Sequence, residues 1–316
     1  MPGLAAAALA LAAASACPVM GWTTLGTAGG PAPTIERSEP ANLLTLGERR
    51  ILVDAGDGTV DQLARAGLTM GSVDAVVISH LHLDHAGGLG AVIGLRWMNQ
   101  FPGVLTVYGP PGTRAMVDGI IASLGPSAKV GFGLGKLPPR PEDGVRVIEV
   151  AGGSVTDLGG GLTMRAAENS HFDDGRGGRA GVSLSYRFEA GGRSIAYTGD
   201  TGPSAAVDRL AKGADLLVSE VVVFDPLVAE ITARRPNAPP GMLADMRRHL
   251  ATHHLQPEAI GRMAAGAGVG RVVVTHYAMP GALGEHAAAI RAGIAVSYRG
   301  AVELARDLSS YDLGCR

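Results

Sequence analysis

"VDAVVISHLHLDHAGG", residues 73–88, runs an apolar, β-branched strand candidate (73–79) straight into three histidines and an aspartate. His80, His82, Asp84 and His85 fall within six consecutive positions of a chain that has nine histidines in all. On an extended segment, residues two apart face the same side, so His80 and His82 can clasp one ion from one direction. The Asp84-His85 turn can aim a carboxylate and an imidazole at a second position nearby. Both groups are ligands for zinc and related divalent ions. Ala86-Gly87-Gly88 then leaves room for close backbone approach. A polar surface loop has no use for four ligand-type side chains at a strand end. The stretch therefore reads as part of a site for one metal ion or two, with further ligands to be found elsewhere.

Outward from this stretch, strand-like and helix-like segments alternate. Strand candidates are Ile51-Leu52-Val53, "LTVYG" (105–109), "VRVIEV" (145–150), "LTMRAA" (162–167), "ADLLVSEV" (214–221) and "RVVVT" (271–275). "SLSYRFE" and "RSIAYTG" flank Ala190-Gly191-Gly192 and predict a β-hairpin. Helix candidates are 59–67, 88–100, 112–125 and 256–268. The last has Pro257 in its first turn and Gly266/Gly268 to stop it. The Gly/Pro-rich stretches 131–144 and 234–241 read as long surface loops, a class that often includes lids. No linker or internal repeat divides the chain, and mixed α/β layers in one domain are the simplest expectation.

The 316 residues are 46% hydrophobic and 18% charged, with a formal net charge of −2. That balance is an ordinary globular one, long enough for a full core, and it lacks the basic excess expected of a nucleic-acid binder. Cys17 and Cys315 lie near opposite ends and match no zinc-knuckle spacing. The start, "MPGLAAAALALAAASACPVMG", has an apolar run from Leu4 to Ala14 too short to span a bilayer. Ala14-Ser15-Ala16 provides the small residues of a cleavage site, although no basic residue precedes the run. The expectation is a signal peptide over 1–16, a single domain over 17–316, no transmembrane span, and a periplasmic or secreted product. Lipid anchoring at Cys17 is the variant of that reading.

HxHxDH after an apolar strand resembles the signature of the metallo-β-lactamase fold superfamily, and the resemblance covers nearly the whole chain after the leader. It implies an α/β fold, a four-layer αββα sandwich with its ligands along one edge of two sheets. In that family a histidine, an aspartate and a histidine follow in order, each at a strand end. His171 in "LTMRAAENSH", Asp200 in "RSIAYTGD" and His276 in "RVVVTH" stand in those places. Asp54 in "ILVDAG" matches an aspartate that buttresses the metal loop. The resemblance implies His80, His82 and His171 on one ion, Asp84, His85 and His276 on a second, and Asp200 bridging them. Two divalent ions are thus expected as cofactors, zinc first, with manganese and iron sharing these ligands. Such a pair acidifies a bridging water and polarises the oxygen under attack, so the expected reaction is hydrolysis.

"TTLGTAGGP", "YTGDTGPS", "DLLVSEV" and "HHLQPEAIGRMAAGAGVGRVVVTHY" resemble the ribonuclease Z, arylsulfatase and cyclic-nucleotide phosphodiesterase branch of the superfamily. There a histidine before the Pro-Glu helix start, partnered by a glutamate, gives a proton to the leaving group; His254 and Glu220 match. Asp84, His254 and Glu220 are the expected catalytic residues. Processing ribonucleases of this type carry an arm between the third histidine and the bridging aspartate, whereas here 28 residues (172–199) separate His171 from Asp200. A small phosphodiester or aryl sulfate ester is the expected substrate, with Arg176 and Arg179 as candidate anion forks. Nucleic acid is the disfavoured partner, and a homodimer is what the branch implies. The alternatives are lactone or β-lactam hydrolysis, a ribonuclease Z-type endonuclease, and a metal-binding scaffold without turnover.

Overall fold

A computed structural model describes residues 18–314, except 131, 134, 136, 138 and 175–177. The expected leader, Cys17, Cys315 and Arg176 lie outside the described residues. Along the chain come β1 (Met20–Gly26), β2 (Ala41–Leu46), β3 (Arg49–Ala55), α1 (Thr59–Arg65), β4 (Ala75–Val77), α2 (Leu83–Ala86), α3 (Leu89–Met98), β5 (Leu105–Gly109), α4 (Thr113–Ser123), α5 (Gly125–Val130) and β6 (Val145–Glu149). Then follow β7 (Val155–Gly159), β8 (Leu162–Glu168), β9 (Leu184–Ala190), β10 (Arg193–Tyr197), α6 (Ala205–Ala211), β11 (Leu216–Val222), α7 (Phe224–Arg234), α8 (Pro240–Thr252), α9 (Pro257–Ala267), β12 (Arg271–Ala278), α10 (Leu283–Ala295), β13 (Ala301–Leu304) and β14 (Ser309–Leu313).

Two seven-stranded sheets result, in the orders β14-β1-β2-β3-β4-β5-β6 and β13-β12-β11-β10-β9-β8-β7. In each, one half is antiparallel and the other parallel, the parallel halves being β3 to β6 and β10 to β13. Strand alternation sorts side chains to opposite faces. Ile51 and Val53 of β3, Leu216 and Val218 of β11 and Val273 of β12 enter the core between the sheets, beside Trp22, Tyr186, Phe188 and Tyr197. Their neighbours Leu217, Val272 and Val274 turn outward and pack under α9 and α10 with Ile260, Ile290 and Ile294. Leu52 and Val76 do the same on the first sheet, against Leu63, Leu89, Val92 and Val117 of α1, α3 and α4. Strands buried on both faces need helices on their outer sides, and the layering is therefore αββα.

The predicted hairpin is present: β9 and β10 are joined by Gly191 and Gly192, with φ 56° and 74°. Two consecutive positive φ angles make the turn that matches the twist of the flanking strands. The 131–144 stretch is not wholly loop, because residues 141–144 form a 3-10 turn. The 234–241 stretch links α7 to α8, and that helical hairpin was not visible as an element from its neighbours' strand pattern. Among the described residues no helix is long and apolar enough to cross a membrane.

Candidate metal centre

The parallel strands of both sheets deliver the site. β4 ends at Val77, and His80 and His82 follow in extended backbone, His82 with φ −65° and ψ 147°. Asp84 and His85 lie in α2, a single helical turn rather than an open one. From the second sheet, His171 stands three residues past the end of β8 and Asp200 three residues past β10. His276 departs from the expected strand-end position. It sits within β12, where the pairing with β11 slips from Ser219↔Val274 to Val221↔Tyr277. Three steps on one strand against two on the other is a β-bulge, which bends the strand and re-aims a side chain. His276 takes φ 45° there, and Asp54 at the end of β3 takes φ 58°. Left-handed backbone is unusual away from glycine, and at both places it turns a side chain into the site.

All seven expected ligands come together in two groups. In the first, His82 Nδ1 lies 3.1 Å from His80 Nε2 and 3.2 Å from His171 Nε2. In the second, Asp200 Oδ1 is 3.1 Å from both His85 Nε2 and His276 Nε2, and Asp84 Oδ2 is 3.6 Å from each. Asp200 Oδ2 turns to the first group, 4.0 Å from His80 Nε2 and His171 Nε2. One carboxylate thus faces both clusters with separate oxygens.

The residues fit a pair of divalent ions. Ligands about 2.05 Å from a tetrahedral ion are about 3.3 Å from one another, close to the observed nitrogen spacings. His85 Nε2, His276 Nε2 and Asp200 Oδ1 are buried and make no hydrogen bond, although they lie within 3.1 Å. They point at a shared position instead of at each other. Asp54, Asp84, Asp200, Glu220 and Glu39 are all at least nine-tenths buried here. Among the described residues, none of them pairs with a lysine or arginine, so the buried negative charge calls for cations of another kind.

The outer nitrogens of the rings are held separately. His85 Nδ1 bonds Asp54 Oδ2 at 2.8 Å, His171 Nδ1 donates to the His253 carbonyl at 3.1 Å, and His80 Nδ1 lies 3.1 Å from Ser79 Oγ. Such bonds fix the tautomer and aim the other nitrogen. Burial holds His80 well below the usual histidine pKa and His171 down at about 3, so both stay neutral and able to ligate. His85 and His276 behave oppositely. Burial is the largest single influence and disfavours their charge, but Asp200 together with Asp54 for His85, and with Asp84 for His276, pushes both up. Burial would raise Asp84, yet its contacts with His276 and His85 bring it to about 2. A place that recruits protons this strongly also attracts a dication.

Beside the ligands, His254 Nδ1 lies 2.7 Å from Glu220 Oε2, while Glu220 Oε1 accepts a 2.6 Å bond from the Thr201 amide. Burial opposes charge on His254, but Glu220 overrides it and lifts the pKa to about 9. His254 is therefore buried and paired, as the resemblance implied, and not a surface residue. Three nearby groups escaped the sequence reading. Phe172 packs its ring against His80, His82 and His171, with centroids 5.7, 5.0 and 4.7 Å away. His249 on α8 stands 5.5 Å from His171 and 5.2 Å from His254, and burial with neighbouring His254 lowers it to about 4. Glu39 is raised by burial and by Asp84. The 3,4 spacing of Leu243, Met246 and Leu250 was the available signal for α8. Arg179 is not a free anion fork: it is engaged by Glu168 and, at 2.9 Å, by Asp173.

Two sheets meeting at a histidine- and aspartate-lined edge define a metallo-hydrolase class. The beta-lactamase superfamily domain matches residues 49–277, and the chain belongs to that family. It is a metallo-β-lactamase fold hydrolase. Ribonuclease Z of Mycobacterium bovis (strain BCG / Pasteur 1173P2) is 31% identical over 291 residues, covering 90% of this chain and 95% of the relative. Among solved structures, the metallo-beta-lactamase fold protein YhfI from Bacillus subtilis superposes with a TM-score of 0.69 at 18% identity, covering 94% of this chain and all of that one. Zn(2+)-bound PqqB from Methylobacterium extorquens gives 0.62 at 19%, over 93% and 100%. The relative's name is that of a ribonuclease, so the expectation of a small ester in place of nucleic acid draws no support from it.

Proposed function

We propose that the protein hydrolyses a phosphodiester whose leaving group is a basic alkoxide, using two divalent ions, zinc first. The His254–Glu220 pair carries this reading. It stands at the rim of the centre, His254 Nδ1 being 3.9 Å from Asp200 Oδ2. When bound, the ions supply Lewis acidity and acidify water. Glu220 occupies His254 Nδ1, which leaves the proton on Nε2 for donation. With a pKa near 9, His254 keeps that proton at neutral pH and can pass it to the departing oxygen. An activated nitrophenolate leaves without such help, whereas an alkoxide does not.

The zinc bound by PqqB supports zinc here, and the seven-ligand set argues against an inert scaffold. RNA is the second reading, supported by the name of the M. bovis relative. Against it, the β9–β10 hairpin takes up half of the 28 residues between His171 and Asp200, which leaves no room for a long arm. The test is a panel on the zinc-loaded protein: an alkyl phosphodiester, a nitrophenyl phosphodiester, an aryl sulfate, a lactone, a cephalosporin and a 3′-extended tRNA. Preference for phosphodiesters is expected. Faster turnover of the sulfate, lactone or cephalosporin would overturn the reading, and cleavage confined to the tRNA would select RNA.

A further inference from the structure

Eight of the nine histidines gather at this centre, and only His286, bonded to the Pro280 carbonyl, stands apart. Seven have an evident place. Five face the two clusters, His254 pairs with Glu220, and His253 gives its carbonyl to His171 and its ring to His249. His249 is the one without a partner on the cluster side. Its Nδ1 lies 2.8 Å from His253 Nδ1, an arrangement that fixes the ring against rotation. One ring nitrogen from each of His171, His249 and His254 lies within 4.8 Å of the other two. For three points so spaced there is always a position within about 2.8 Å of all three, and because both His171 nitrogens are engaged, an oxygen there would hydrogen-bond His249 and His254. That position lies between His249 and His254 and beside His171 of the first cluster.

We propose that His249 is a substrate-contacting residue that hydrogen-bonds the departing oxygen together with His254, and so sets the preference among leaving groups. The name of that oxygen rests on the phosphodiester reading; its place between the two imidazoles does not. α8 is the element that makes this contact. Leu250 is its buried anchor, packed with Val222, Val228 and Ala278, and the preceding residue His249 is left half-buried. Gly202 permits the close approach, since a Cβ there would collide with the Thr252 carbonyl at the end of α8. A ligand role for His249 does not fit, because His171 Nε2 already faces His82 and its Nδ1 is bonded to His253.

The experiment uses zinc-loaded wild type, His249→Leu and His249→Gln, each checked for zinc content and melting temperature. Inorganic phosphate is titrated calorimetrically, and turnover of an alkyl and a nitrophenyl phosphodiester is compared. Expected are two zinc ions in every protein and phosphate binding about tenfold weaker in His249→Leu, partly restored in His249→Gln. Alkyl ester turnover should fall more than nitrophenyl ester turnover. Unchanged phosphate affinity in a folded His249→Leu would overturn the proposal, and so would loss of a zinc ion. Phosphate binding is read without turnover. If no ester is cleaved but binding still depends on His249, the phosphodiester reading fails and the contact stands.

Discussion

Asp54 Oδ2 accepts hydrogen bonds from His85 Nδ1 at 2.8 Å and from Tyr197 Oη at 2.7 Å, joining a ligand of the first sheet to a strand of the second. Its other oxygen accepts the Ser79 amide at 2.7 Å. Every donor around this buried carboxylate belongs to a segment that leads into the site. Asp54→Asn keeps the shape but loses the acceptor for His85, so zinc affinity should fall by about 10–100-fold. Competition against a chromogenic chelator measures this. Unaltered affinity would show that His85 is aimed by packing alone.

Asp200→Ala should reduce zinc content to one ion or none and remove most activity. Asp200 is the carboxylate that faces both groups, and without it the repulsion of two dications is uncompensated. Metal analysis after gel filtration decides the matter, and two tightly held ions would refute the bridging role.

His254→Ala should keep its zinc and slow alkyl ester turnover by about 10²–10⁴-fold, with a much smaller loss on a nitrophenyl ester. Glu220→Gln should act in the same direction more weakly. Its pH profile is the sharper test. Glu220 raises the His254 pKa to about 9, so the acid form persists below that pH and is lost above it. Removing the carboxylate lowers that pKa, and the alkaline fall in kcat should move to lower pH. An alkaline limb in the same place would detach His254 from the proton transfer.

For the leader, we propose export with cleavage after Ala16. Intact mass of the protein from the periplasm or medium of a bacterial host should begin at Cys17, with added lipid mass if that cysteine is anchored. Retention of Met1 in the mature form would withdraw export.

The layers and the metal cluster were legible because both depend on local signals. β11 and β12 each carry a short apolar run, Leu216 to Val218 and Val272 to Val274, and His80 to His85 follow one strand directly. His171, Asp200 and His276 were assigned through resemblance, and their convergence is a property of the sheets' shared rim that no single segment reveals. The bulge that turns His276 inward from within β12 has no sequence mark, since it depends on register against β11. His249 was missed for a related reason. Its helix exposes most of its surface, and a histidine on such a face looks like any solvated residue until His171 and His254 are seen beside it.

Each group of ligands is half contributed by the chain before β7 and half by the chain after it: His80 and His82 meet His171, and Asp84 and His85 meet His276, with Asp200 between. Neither sheet alone can therefore assemble a complete coordination sphere. Ions held there would act as a clasp on a finished sandwich and not as a nucleus for it, because the residues around them sit up to roughly two hundred positions apart and closing such loops is slow. A chain split in the turn between β6 and β7 would recover tight zinc binding only when its fragments found each other, which makes the metal a reporter of sheet-on-sheet assembly.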